Sequence, residues 1–145
     1  MKNLIKIAIL FVAISASAQT KNIKTSGTQF VNGVEGKSWS NATSLSGTVD
    51  KFKDFTGETY VTFFSELPAK IALDYVLTLT KGECEVVFSG EENTCNLAHI
   101  SLRARGTGVN NNMKTFNLEP GVEYRLTLKG ENAKGKFKCN WTEID

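Results

Sequence analysis

The sequence predicts an all-β fold, an antiparallel Greek-key sandwich of about eight short strands. Three observations carry this. From Ser46 onward, β-branched, aromatic and aliphatic residues recur with period two, most clearly in TYVTFF (59–64) and IALDYVLTLT (71–80). These runs are bounded by Gly, Asn and Asp, residues that favour turns. No later segment carries an apolar stripe at i, i+3, i+4, i+7, so helix is expected to be nearly absent beyond the N-terminus.

The chain begins MKNLIKIAILFVAISASAQT. Basic Lys2 and Lys6, an apolar run from Leu4 to Ile14 and the small residues Ala16-Ser17-Ala18 are laid out as a secretory signal peptide. The run is shorter than the ~20 residues that span a bilayer. Cleavage after Ala18 is expected, leaving a mature chain without a membrane span, secreted or periplasmic. The full sequence holds 17 basic and 15 acidic residues. Removing residues 1–18 takes away two lysines and leaves the mature chain balanced. A nucleic-acid partner is therefore not expected, because such proteins carry a clustered basic surplus. Lys134, Lys136 and Lys138 form a local cluster, read as the solvated face of a strand.

Residues 19–37 are polar and rich in Gly, Asn and Thr. They read as an N-terminal arm or a first edge strand, leaving 38–145 as one sandwich domain with one core. The strands expected next are Ser46–Phe52, Thr59–Phe64 and Ile71–Thr80, the last with Leu73, Tyr75, Leu77 and Leu79 on one face. Lys81-Gly82 then reads as a tight turn into Glu83–Ser89, and Gly90–Thr94 as a loop into Asn96–Arg103. Thr115–Leu118, Tyr124–Lys129 and Lys136–Trp141 follow, with a loop over Glu131–Gly135. The lysine-rich last strand suits a sheet edge.

The turn Leu118-x-Pro120-Gly121-x-x-Tyr124 opens a strand whose inward face continues through Leu126 and Leu128. This is the pattern of a tyrosine corner, in which the phenol bonds to backbone a few residues upstream. Tyr124 is read as a structural clasp. The stretch Thr115–Trp141 resembles the end of a fibronectin type III domain. The mature chain is also similar to small secreted bacterial β-sandwich proteins, which end in a Y-x-L-x-L-x-G then G-x-F pattern, here Tyr124–Gly130 and Gly135–Phe137. These resemblances imply an immunoglobulin- or fibronectin III-like, or jelly-roll, sandwich. They carry no catalytic residues.

Three cysteines in an exported chain leave one unpaired. Cys84 alternates with Val86 and Phe88, and Cys139 lies between Phe137 and Trp141, so both are expected inward. In a regular hairpin Cys95 falls more than ~13 Å from Cys84, beyond the ~7 Å Cα limit for a disulfide. A Cys84–Cys139 bridge with Cys95 as a free thiol is expected. The alternative is three reduced, buried cysteines. With one histidine and no C-x-x-C, a zinc site is not expected.

Catalytic patterns are sparse. His99 is placed on an outer strand face with Arg103, without a nucleophile and an orienting acid. Glu91 and Glu92 are adjacent in a loop and suit solvation. Asp54–Glu58 offers oxygens to calcium without the spacing of a calcium loop, and reads as a turn. No cofactor is expected. Asn41-Ala42-Thr43 and Asn140-Trp141-Thr142 match the glycosylation sequon, which matters in a eukaryotic secretory host; the composition looks bacterial.

The remaining candidates are recognition residues. The loop Ala104–Lys114 carries Asn110, Asn111 and Asn112, amides suited to sugar hydroxyls. Trp39 has polar neighbours. Tyr60 shares the outer face of TYVTFF with Phe64 if Val61 and Phe63 face the core. Together they suggest a non-enzymatic module that stacks a glycan or cell-surface polymer on Trp39 or Tyr60 and hydrogen-bonds it from Asn110–Asn112. The alternatives are a protein–protein module of an envelope assembly, joined by strand addition or through Cys95, and a small secreted hydrolase.

Overall fold

The computed structural model describes residues 22–35 and 38–145, with side chains described for 22–29 and 41–145. The leader expected over 1–18 and the side chain of Trp39 lie outside the described residues. Eight strands follow one another: β1 (Lys24–Thr25), β2 (Gln29–Glu35), β3 (Ser38–Thr43), β4 (Gly47–Phe64), β5 (Ala69–Ser89), β6 (Thr94–Leu102), β7 (Gly108–Leu118) and β8 (Glu123–Ile144). The described residues contain no helix, and every strand pairing is antiparallel.

Three long strands organise the molecule. β4, β5 and β8 run for 18, 21 and 22 residues. Each contains a segment expected from sequence to be a turn or loop: Asp54–Glu58, Lys81-Gly82 and Glu131–Gly135. None of these reverses the chain. Each is a corner at which a continuous strand passes from one sheet to the other. The turn chemistry is real, but here it serves a bulged bend. Asp54 (φ 55°), Gly57 (φ 144°), Gly82 (φ 79°) and Asn132 (φ 47°) all lie at these corners. The ladder registers shift over Phe52–Gly57 and Leu79–Glu83. Inward parity changes as well, from Leu77 and Leu79 to Cys84 and Val86 on β5, and from Leu126 and Leu128 to Phe137 and Cys139 on β8.

The corners are tied together. Lys81 Nζ meets Asp54 Oδ1 at 2.8 Å, and Asn132 N–H donates to Thr56 Oγ1 at 3.0 Å. Gly82 lies so close to the backbone of Asn132 that a Cβ would collide with it.

Beyond the corners the halves separate into two sheets. In the front sheet the order is β3, the first half of β4, the last half of β8, the first half of β5, then β7. In the back sheet it is β2, the second half of β4, the first half of β8, the second half of β5, then β6, with β1 beside the end of β4. β8 is therefore central in both sheets, not at an edge. It lies between β4 and β5, so the β4–β5 connection passes over it in Greek-key fashion.

The core lies between the sheets. Phe63 of the back sheet meets Trp141 of the front edge to face, with ring centroids 5.0 Å apart. The indole N–H of Trp141 donates to Leu45 O at 2.7 Å, and Tyr75 Oη reaches across to Leu97 O at 2.9 Å. Val61 and Phe63 face inward, leaving Tyr60 outside.

All three cysteines are free thiols, in place of the expected Cys84–Cys139 bridge. Both residues are buried, but Cys84 pairs with Ile100 and Gly130 in the back sheet, and Cys139 with Thr48 and Tyr75 in the front sheet. Cys84 lies two residues past the Gly82 corner of β5, whereas Cys139 stands opposite Tyr75, seven residues before it, so the two are offset along the strands as well as lying in different sheets. The expected loop Ala104–Lys114 is also revised: β7 begins at Gly108, so Asn110–Asn112 belong to an edge strand.

Candidate functional site

The aromatic and polar groups of the described residues converge most fully at one end of the sandwich. There the β5–β6 turn faces the end of β7 and the start of β8. Gly90 N–H donates to Asn93 O at 2.8 Å and closes the turn. On the other side, the Glu119 N–H donates to Oη of Tyr124, five residues further along the chain, at 3.0 Å. Between them lies an open cleft of about 390 Å³, within the range of small-ligand sites.

Its floor is aromatic. Phe88 and Phe116 come from opposite sheets, with ring centroids 4.5 Å apart. Tyr124 also stacks on Phe88, with ring centroids 5.7 Å apart and an interplanar angle of 11°. Phe88 and Tyr124 are nearly buried, while Phe116 is half-buried. The rim is polar: Asn93, Thr94, Thr115, Asn117 and Glu119. Cys95 also lines the cleft, with Lys114 Nζ 4.0 Å from its sulfur. The arrangement offers apolar ring surface below, and amide, hydroxyl and carboxylate groups around it.

Sequence reasoning missed this cleft. Phe88 reads as an ordinary alternating inward position, and Phe116 falls unremarked in the short strand Thr115–Leu118. Phe116 pairs with Ile71 near the start of β5, whereas Phe88 lies near its end. Folding β5 at its corner brings the two together, and no local pattern records that approach.

The residues singled out from sequence are dispersed. Tyr60 lies on the outer face of the back sheet. Its hydroxyl donates to Gln29 Oε1 at 2.7 Å, and the Arg125 guanidinium covers the ring at 4.3 Å from its centroid. Asn111 lies on the outer face of the front sheet. Asn110 and Asn112 point to the other side of β7, opposite the inward Leu77 and Tyr75, and Asn112 Oδ1 accepts from Met113 N–H at 2.8 Å. Tyr60 and Asn111 are thus on opposite outer faces and do not form one site. The backbone of Trp39 pairs with Phe52 on β3. His99 Nε2 and Glu83 Oε1 are 2.7 Å apart on the outer back face.

A second polar group is interior. Asn41 Nδ2 donates to Asp50 Oδ1 at 2.7 Å and to Thr48 Oγ1 at 2.9 Å, while Thr43 links Asn41, Thr48 and Thr28. Asp50 is 3% exposed, and burial pushes its carboxyl up to about 6, with the Asn41 bond pulling the other way. A cavity of about 10 Å³ adjoins Thr28, Thr48, Asp50 and Thr59, about the room one water needs. Thr48 and Asp50 are buried while Thr28, Asn41 and Thr43 are half-buried, so the network ties β3 to β4 from the core outward, and the end cleft is the roomier site.

No protein-family model matches the sequence, and no curated protein matches it. Among solved structures the chain is similar to murine APRIL at pH 5.0, with 10% identity over 83% of this chain and 98% of that one, at a TM-score of 0.41. It is similar to CBM29_1, a family 29 carbohydrate-binding module from Piromyces equi, with 14% identity over 83% of this chain and 91% of that one, at a TM-score of 0.31. The CBM22-1 xylan-binding domain of Paenibacillus barcinonensis Xyn10C is 10% identical over 89% of this chain and 90% of that one, at a TM-score of 0.36.

Proposed function

We propose that this protein is an exported, non-enzymatic glycan-binding module that holds a short stretch of sugar in the end cleft. The observation that carries the reading is the pairing of a Phe88–Phe116–Tyr124 floor with an Asn93, Thr94, Asn117 and Glu119 rim. A pyranose has apolar C–H faces and a periphery of hydroxyls. The rings take the first, and the amides, hydroxyl and carboxylate take the second. Glu119 is the one carboxylate in the lining, whereas acid–base hydrolysis of a glycoside uses two flanking the bond. Binding without turnover is the activity this lining supports. The signal-peptide pattern of residues 1–18 supports work outside the cytoplasm.

The test is a glycan array screened with purified protein and with Phe116→Ala and Asn117→Ala. Selective binding lost in both variants, with melting temperature changed little, is the expected result. A blank array from folded protein, or binding that both variants retain, would overturn the assignment.

A second reading draws on β7. This 11-residue strand exposes Val109 (62%) and Met113 (63%), and among the described residues it pairs with β5 alone, an edge suited to strand addition by an envelope partner. Val109→Lys would then abolish crosslinking of the protein to its partner in intact cells while leaving the end cleft untouched.

A further inference from the structure

We propose that the outer face of the front sheet is a docking surface for a carboxylated polysaccharide chain. From sequence, Lys134, Lys136 and Lys138 form a small run on one strand face. The fold changes its meaning by laying the lysines of β4 beside it. Lys51 is the direct cross-strand partner of Lys136, and Val49 that of Lys138. Lys53 and Lys134 continue the two columns toward the corner, where both act on Asp54. Cross-strand neighbours lie ~5 Å apart and successive residues on one face ~7 Å apart, so the ammonium groups form a compact basic field.

The pairing Lys51–Lys136 is a cost to the sheet, because like charges directly opposite repel. Among the described residues no ion pair offsets it: the described ion pairs involve Lys24, Lys81, His99 and Arg125. The back sheet is built differently. There Lys129 stands between Glu58 and Glu85, which in turn faces His99. The back face thus interleaves charge signs, whereas Lys51, Lys53, Lys134, Lys136 and Lys138 make this part of the front face predominantly basic, with Asp74 as the carboxylate beside it. A bound polyanion removes the repulsion that the front face carries when free.

The groups beside the lysines specify the anion. A shallow depression of about 180 Å³ lies next to them, lined by Asp74, Tyr75, Val76, Asn111, Lys138 and Asn140, with the Tyr75 ring buried toward Leu97 and not presented on the face. Asn111, Val76 and Lys138 occupy one row across β7, β5 and β8, with Asp74 and Asn140 in the next. Amides and a carboxylate serve hydroxyls, and ammonium groups serve carboxylates, the two group types that alternate along a polyuronate. Nucleic acid is the less suitable polyanion. Single strands are held by aromatic stacking as well as charge, and the described side chains of this face include no aromatic ring. The near balance of charge over the whole chain also lacks the surplus of nucleic-acid binders. This surface is separate from the end cleft and stands without it.

The experiment is affinity electrophoresis of purified protein through gels containing polygalacturonate, dextran or single-stranded DNA, at low and high salt. Retardation by polygalacturonate alone, weakened by salt, is expected. Combined substitution K51Q, K136Q and K138Q should weaken it by roughly tenfold or more. Lys129→Gln on the back face should leave it unchanged. Lys136→Gln alone serves if the triple variant fails to melt cooperatively. No retardation by polygalacturonate at low salt, or retardation that the front-face variants retain, overturns the proposal. DNA held as tightly and released by the same substitutions would also overturn it, in favour of an unselective polyanion surface.

Discussion

Asp50 and Asn41 share a 2.7 Å hydrogen bond inside the sandwich, and no cation accompanies the carboxyl in its described contacts. Burial dominates its titration and raises it from 3.8 to about 6. The folded state thus holds this proton more tightly than the unfolded chain. The associated stability is fully present below about pH 3.8 and is lost as pH rises through about 6. The loss amounts to about 3 kcal/mol once both states are ionised. Asp50→Asn keeps an acceptor for Asn41 and removes the charge. Melting temperatures should show the variant more stable than the parent at pH 8, with the gap closing toward pH 4. A gap that is constant with pH would contradict the assignment.

Tyr124 Oη accepts from the Glu119 N–H and fastens the Pro120-Gly121 turn to the start of β8. Tyr124→Phe keeps the ring on Phe88 and leaves that amide without its acceptor. Denaturant unfolding should show a loss of about 1–3 kcal/mol. Glycan binding in the cleft should change less than in Phe116→Ala.

The corners depend on backbone that accepts positive φ and close approach. Gly82 has φ 79° and lies against Asn132. Gly82→Ala should cost at least about 1–2 kcal/mol for the left-handed conformation alone. Gly106, in the β6–β7 loop, has open space around it, so Gly106→Ala should leave the urea midpoint nearly unchanged. Equal midpoints for the two variants would be inconsistent with a strained corner.

The thiols should divide by accessibility. Burial pushes Cys84 up to about 12 and raises Cys139 further, whereas Cys95 is half-buried on the cleft wall. A thiol reagent at neutral pH should modify Cys95 alone in native protein and all three cysteines in denaturant. Only one reactive thiol in denaturant would mean that a bridge had formed.

Much of the fold was legible in local pattern. Alternation put Leu73, Tyr75, Leu77 and Leu79 on one face and turned Cys84, Val86 and Phe88 inward, and all are buried; in TYVTFF both faces are apolar, and the structure selects Val61 and Phe63 for the core. Period two is a property of the strand itself and survives any arrangement of strands. The turn chemistry of Asp54, Gly82 and Asn132 was equally visible, but not its use. A residue that adopts positive φ serves a hairpin or a corner alike, and the choice depends on which strand lies beside it. The sequence by itself therefore determined the all-β class, the inward faces and the places where the backbone bends. Only the tertiary structure decided that β4, β5 and β8 run unbroken through two sheets. That folding placed Phe116 over Phe88, set Lys51 against Lys136 and carried Tyr60 and Asn111 to opposite faces. The physical reason is that these relationships join residues far apart in the chain, and their free energy comes from contacts that form when the sheets close.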